Sequence, residues 1–166
     1  MAEVVDSKLK QLVIDRKFQG SAKRLNCAPD HLERVQYKGQ TFLRRKIMSD
    51  VLKDGEIFDL CKAKFPWCEQ VTINKNIRMK PHFDKNVGLS AICFFSPQDT
   101  FRGGGLATEA HHFVEPGVWH FFDGRNQLHW VLPWEGGDRY SIVCYRKSSD
   151  VKPLTPTQAC SCVEQI

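Results

Sequence analysis

A histidine and a carboxylate stand two positions apart at His82-Phe83-Asp84, and a second histidine, His129, follows far downstream. In an extended chain, residues i and i+2 share a face. His82 and Asp84 can therefore present an imidazole and a carboxylate to one point, and a later strand carrying His129 can lie beside them. Two imidazoles and one carboxylate on one face suit a non-haem iron(II). They leave three coordination positions open for a cosubstrate and dioxygen. Arg139-Tyr140-Ser141 comes ten residues after His129. Arg139 and Ser141 also share a face, and a guanidinium suits bidentate capture of a carboxylate. The hydroxyl adds one more donor. That pair fits the far carboxylate of 2-oxoglutarate, whose keto-acid end would chelate the metal. H-x-D alone is a common accident. The order H-x-D, long gap, H, R-x-S is sharper because every piece falls in a strand-like run.

The elements that must position these residues divide the chain into two zones. Residues 1 to about 66 are polar and read as a helical layer. Val4, Val5, Leu9, Leu12 and Val13 recur at helical spacing, and a second helical stretch is expected from about 44 to 64, interrupted at Gly55 and closed by Pro66. Residues 67–147 change character. QVTINKNIRM alternates, and GLSAICFF, HHFVEPGVWHFF, QLHWVLPW and DRYSIVCYR are short apolar runs broken by Gly, Pro, Asn and Asp. This pattern predicts a β-sandwich, jelly roll or barrel buttressed by the N-terminal helices, hence an α+β fold. Residues 1–150 are expected to form a single domain and residues 151–166 a loose tail rich in Ser, Thr and Pro.

Composition constrains the setting. The chain has 166 residues, a length that suits one domain. Mean hydropathy is −0.40, and no apolar run approaches the ~20 residues of a membrane span. The N-terminus is charged from its third residue and lacks an apolar signal core. An intracellular protein that does not enter membranes is expected. Seven cysteines (Cys27, Cys61, Cys68, Cys93, Cys144, Cys160 and Cys162) do not form a disulfide framework, and Cys93 and Cys144 read as buried thiols. The net charge of +5 permits a polyanionic partner without requiring one.

The order H-x-D … H … R-x-S resembles that of the 2-oxoglutarate/Fe(II) dioxygenases, a superfamily with a double-stranded β-helix (jelly-roll) core. The resemblance covers about residues 70 to 147. Within the superfamily, VTINKNIRMKPHFDKNVG and FRGGGLATEA resemble the TET/JBP family, which oxidises 5-methylpyrimidine bases in nucleic acid. The matching features are Asn74 and Asn76 before H-x-D, Asn86 after it, Gly104-Gly105-Leu106, and Pro116-Gly117-Val118. The resemblance implies Fe(II) on His82, Asp84 and His129, with 2-oxoglutarate held by Arg139 and Ser141. Asn74 would help to bind the cosubstrate or organise its surroundings. Asn86, Lys85 and Arg102 would meet the substrate, 5-methylcytosine or thymine in DNA. A monomer is expected, nuclear in a eukaryotic host.

A base oxidase must take its base out of the stack and place cations along the phosphates. Lys75, Arg78, Lys80, Lys85, Arg102 and Arg125 cluster in sequence around the proposed site. Two readings compete. One is a dioxygenase of the same superfamily acting on alkylated bases, protein side chains or a small molecule. The other is a non-catalytic DNA-binding module on that fold, against which the intact triad and Arg139 argue. Trp119, Trp130 and Trp134 read as core residues, and Trp130 should point away from the metal set.

Overall fold

A computed structural model describes residues 3–19, 32–45 and 48–147. Helix α1 (Ser7–Asp15) is capped by Asp6, whose carboxylate accepts from the Lys8 amide. The hairpin β1 (Leu32–Tyr37) and β2 (Gln40–Arg45) follows, then β3 (Ser49–Leu52) and helix α2 (Gly55–Lys64). The second zone is built from β4 (Gln70–Lys75), β5 (Ser90–Phe95), β6 (Arg102–Gly103), β7 (Leu106–Thr108), β8 (His112–Phe113), β9 (His120–Phe122), β10 (His129–Val131), β11 (Trp134–Glu135) and β12 (Tyr140–Tyr145).

Five strands form one antiparallel sheet in the order β3-β4-β12-β5-β9. The opposing layer is shorter, with β10-β7-β8 in one piece and β11-β6 in another. The result is an α+β jelly roll with the helices on one side, as the sequence predicts.

The period-2 alternation of the large sheet explains both its faces. Val71 and Ile73 of β4, Ala91, Cys93 and Phe95 of β5, and Tyr140, Ile142 and Cys144 of β12 form a core with Val5, Leu9 and Val13 near α1 and Ile57 and Cys61 of α2. The residues between them (Thr72, Asn74, Ile92, Ser141, Val143 and Tyr145) line a cavity between the two layers. Register sets these partners, because Ser141 pairs with Asn74 and Ile142 with Ile73 across β12 and β4. Cys61, Cys68, Cys93 and Cys144 are buried free thiols, which includes the two expected to be so.

The zone expected to be wholly helical, residues 1–66, is corrected. Leu32–Tyr37 and Gln40–Arg45 pair as a hairpin around Lys38-Gly39. Both turn residues have positive φ, 49° and 76°, as a type I′ hairpin turn requires. The expected helix from about 44 to 64 is shortened to Gly55–Lys64, because Ser49–Leu52 adds to the edge of the large sheet through β4. Gly55 thus opens α2. Cys27 and the tail 151–166 lie outside the described residues. Among the described residues, no helix is long and apolar enough to cross a membrane.

Phe65, directly after α2, is fully buried, and its ring meets Trp67, Trp119 and Phe121. Phe65→Ala removes that contact and leaves a void under the sheet. It should cost about 3–5 kcal/mol, read by denaturant unfolding.

Candidate active site

His82 and Asp84 lie in an extended segment rather than in a strand, yet the i, i+2 geometry survives. Backbone pairing replaces the strand ladder. The amides of His82 and His129 each donate to the other's carbonyl, at 3.0 and 3.1 Å, and the Asp84 amide donates to the Gly124 carbonyl at 2.8 Å. His129 opens β10, whose neighbour β7 pairs Thr108 with it.

These anchors bring three ligand atoms together. His82 Nε2 is 3.3 Å from one Asp84 oxygen, and His129 Nε2 is 3.1 Å from the other. Among the described residues this is the group of three or more His, Cys, Asp or Glu side chains whose ligand atoms lie within 4.8 Å of one another. The other ring nitrogens settle the tautomers. His82 Nδ1 lies 2.7 Å from the Lys80 carbonyl, and His129 Nδ1 lies 2.8 Å from the Gln127 carbonyl. A carbonyl can only accept, so each Nδ1 carries a hydrogen. In the neutral rings both Nε2 lone pairs then face the Asp84 carboxylate. Such a set repels itself until a cation sits between its members, and the donor types fit Fe(II). A proton is the alternative cation. Burial works against the charged form of His129, but the Asp84 carboxylate and the Gln127 carbonyl outweigh it and raise the pKa. Burial likewise pushes the Asp84 carboxyl up, yet hydrogen bonds and charge from His129 and His82 hold it well below the ordinary carboxylate range.

Arg139 is 2% exposed and also lines the cavity, which has a volume of about 310 Å³. Its Nε donates to the Gly104 carbonyl at 2.6 Å, and its guanidinium carbon lies 5.4 Å from the Phe94 ring centre and 5.8 Å from that of Trp134. Its main chain is tied to Asn76: the Arg139 amide donates to Asn76 Oδ1, and the Asn76 amide donates to the Arg139 carbonyl. Asn76 takes a left-handed φ of 53° as β4 ends. One donor, Arg139 Nη2, is buried with no hydrogen-bond partner. Burial pulls the pKa down to about 9, which still leaves the group cationic at neutral pH. An unpaired buried cation is costly and calls for an anion. A carboxylate such as the far end of 2-oxoglutarate fits.

Ser141 sits on the same cavity wall. Ser49 Oγ donates to Asn74 Oδ1 at 2.7 Å, and Asn74 Nδ2 donates to Ser141 Oγ at 3.1 Å. Because Ser141 accepts from Asn74, its own hydrogen points elsewhere, and the cavity is available to it. Asn74 thus orients the hydroxyl.

Asn86 is buried on the cavity wall, its Nδ2 reaching Ser90 Oγ at 3.4 Å, while Lys85 stands exposed at the rim. Arg102 is not brought to the cavity. It lies exposed on β6, with its guanidinium on the carbonyls of Asp99 and Phe101. Trp130 does not line the cavity, whereas Trp134, read as a core residue, covers the Arg139 guanidinium.

Two glycines support the site and carry no chemical signal of their own. A Cβ on Gly124 would come within 2.6 Å of an Asp84 carboxylate oxygen. A Cβ on Gly104 would come within 2.7 Å of the Phe101 ring and 3.2 Å of Arg139 Nε. Only the Gly104-Gly105-Leu106 feature of the family resemblance pointed to the second.

No family model and no curated protein matches the sequence. Solved structures do. An oxidoreductase of the 2OG-Fe(II) oxygenase family from Burkholderia pseudomallei aligns over 84% of this chain and 76% of its own, with a TM-score of 0.51 and 12% identity. This chain has the 2OG-Fe(II) oxygenase fold. The structure of NgTET1 in complex with 5mC DNA aligns over 60% of this chain at 24% identity, with a TM-score of 0.42. The aligned part spans 43% of that chain.

His82→Ala, Asp84→Ala and His129→Ala should each abolish stoichiometric Fe(II) uptake, measured by anaerobic titration. Gly124→Ala should weaken the metal about 10- to 100-fold by displacing Asp84, while cooperative unfolding persists.

Proposed function

We propose that the protein is an Fe(II)- and 2-oxoglutarate-dependent dioxygenase that hydroxylates the 5-methyl group of a pyrimidine base, 5-methylcytosine or thymine, in DNA. One observation carries the enzyme reading. A convergent His-Asp-His set and a buried guanidinium with an unpartnered Nη2 border the same cavity. A cation-seeking pole and an anion-seeking pole on one cavity suit a keto-dicarboxylate.

His82, Asp84 and His129 hold the metal. Arg139 and Ser141 hold the far carboxylate, with Asn76 and Asn74 positioning them. Ile92, Leu106, Phe122, Val131 and Val143 give that part of the cavity apolar walls that exclude water. The bound metal and cosubstrate supply the oxidising power that no side chain here has. The protein's task is to fix the methyl group near the open coordination positions.

The substrate half of the proposal rests on the sequence resemblance, supported by Asn86 in the cavity wall and Lys85 and Lys147 bordering the same cavity. Asn86 offers an amide for a base edge, and the lysines offer charge for phosphates. Arg102 stands outside the base pocket and is left as a phosphate contact on the outer surface. The monomeric state and a nuclear location in a eukaryotic host belong to this same proposal.

Reconstitution with Fe(II) and 2-oxoglutarate, then aerobic incubation with 5-methylcytosine- or thymine-containing DNA, should add one oxygen to the 5-methyl group, read by nucleoside mass spectrometry. Succinate release without base oxidation would redirect the search to RNA, alkylated bases or protein. No iron and no succinate would leave a binding module. Arg139→Ala should raise the KM for 2-oxoglutarate about 10- to 100-fold with iron retained, as expected for losing a buried charge-assisted contact. An unchanged KM would remove Arg139 from this role.

A further inference from the structure

Phe83 has no part in the site so far. It lies between the two ligand residues of the H-x-D segment and is 55% exposed. Four large hydrophobic side chains stand exposed among the described residues: Val4, Val51, Phe83 and Val114. Of these, Phe83 is the aromatic one, and it borders the cavity. An exposed ring contributes little to the fold. Its backbone is nevertheless fixed on both sides, since the His82 amide bonds to His129 and the Asp84 amide to Gly124. The ring is therefore carried on a rigid base at the mouth, so a contact made there costs little ordering entropy.

Cations border the same cavity. Lys85 stands two positions on from Phe83, exposed and bordering the cavity. Lys147, just past β12, is exposed on the same cavity and lies 6.0 Å from the Tyr145 ring. An exposed aromatic ring on a cavity that solvated lysines also border matches a polymer that alternates planar bases with phosphates. A base inside a duplex has both faces covered, and freeing one costs the unpairing and unstacking of its neighbour, so stacking on Phe83 is easier when the strand is already unpaired.

We infer that Phe83 is a stacking platform for the nucleotide next to the one that enters the cavity, and that it gives the enzyme a preference for unpaired nucleic acid. This inference rests on the nucleic-acid reading proposed above. It adds the strand state of the substrate and a residue that selects it.

The test keeps the protein anaerobic with Fe(II) and 2-oxoglutarate, so that binding is read without turnover. Single-stranded and duplex forms of one fluorescein-labelled 5-methylcytosine oligonucleotide are titrated by anisotropy. Parallel oligonucleotides carry 2-aminopurine on one side or the other of the target base. The single strand should bind more tightly than the duplex and quench one of the two probes. Phe83→Ala should weaken the single strand about tenfold or more and abolish the quenching, with Fe(II) and 2-oxoglutarate binding intact. Phe83→Trp should restore both. Lys85→Ala and Lys147→Ala should each lower the slope of log affinity against log salt by about 0.7. Equal affinity for duplex and single strand, or unchanged single-strand binding by Phe83→Ala, overturns the inference alone. Loss of Fe(II) in Phe83→Ala also overturns it, by making the ring a support for the metal segment. If the wild-type protein binds neither oligonucleotide, the nucleic-acid reading itself fails.

Discussion

Three lone-pair-bearing groups are forced together in this protein, and most of its architecture serves to hold them there. Two histidines whose Nδ1 hydrogens are committed to main-chain carbonyls aim their Nε2 atoms at one carboxylate. Without a cation that arrangement is repulsive, so it persists only where the surrounding backbone dictates it. The dictating contacts are few: a two-way bridge between His82 and His129, the Asp84 amide on Gly124, and a glycine at position 124 that leaves room for the carboxylate.

The opposite pole is held by a different method. Arg139 is fixed by burial, by its aromatic neighbours Phe94 and Trp134, and by the Gly104 carbonyl. Its main chain is clamped by Asn76 at the end of the neighbouring strand. Ser141 is fixed through Asn74, which the sheet register places opposite it. One pole thus depends on a short extended segment, the other on the large sheet, and the cavity between them is where the two layers meet.

Much of this was legible in the residues. The i, i+2 rule placed His82 with Asp84 and Arg139 with Ser141, because an extended backbone obeys it whether or not a ladder forms. Alternation in QVTINK marked a strand, and the structure divides its residues and those of YSIVCY between the helix-facing side and the cavity side. The hairpin at Lys38-Gly39 was missed because Lys is an unusual first residue for a turn that needs positive φ. Ser49–Leu52 was missed because a short edge strand inside a helical pattern has no period of its own. Arg102 was grouped with the site by proximity in sequence, and the chain turns it outward at β6. Gly124 gave no signal, since its role is the space it leaves empty.

The alternation that builds β4 and β12 also limits how this protein can change. Each strand faces the helices with one residue and the cavity with the next. A single inserted residue would exchange Ile142 for Ser141 and deliver a hydroxyl to the oily side. Length variation is therefore barred from these two strands. It is confined to connections between strands that hold no ligand, such as residues 96–101 after β5. A lineage seeking a new substrate would have to lengthen or recompose those connections, with the sheet beneath them kept in frame.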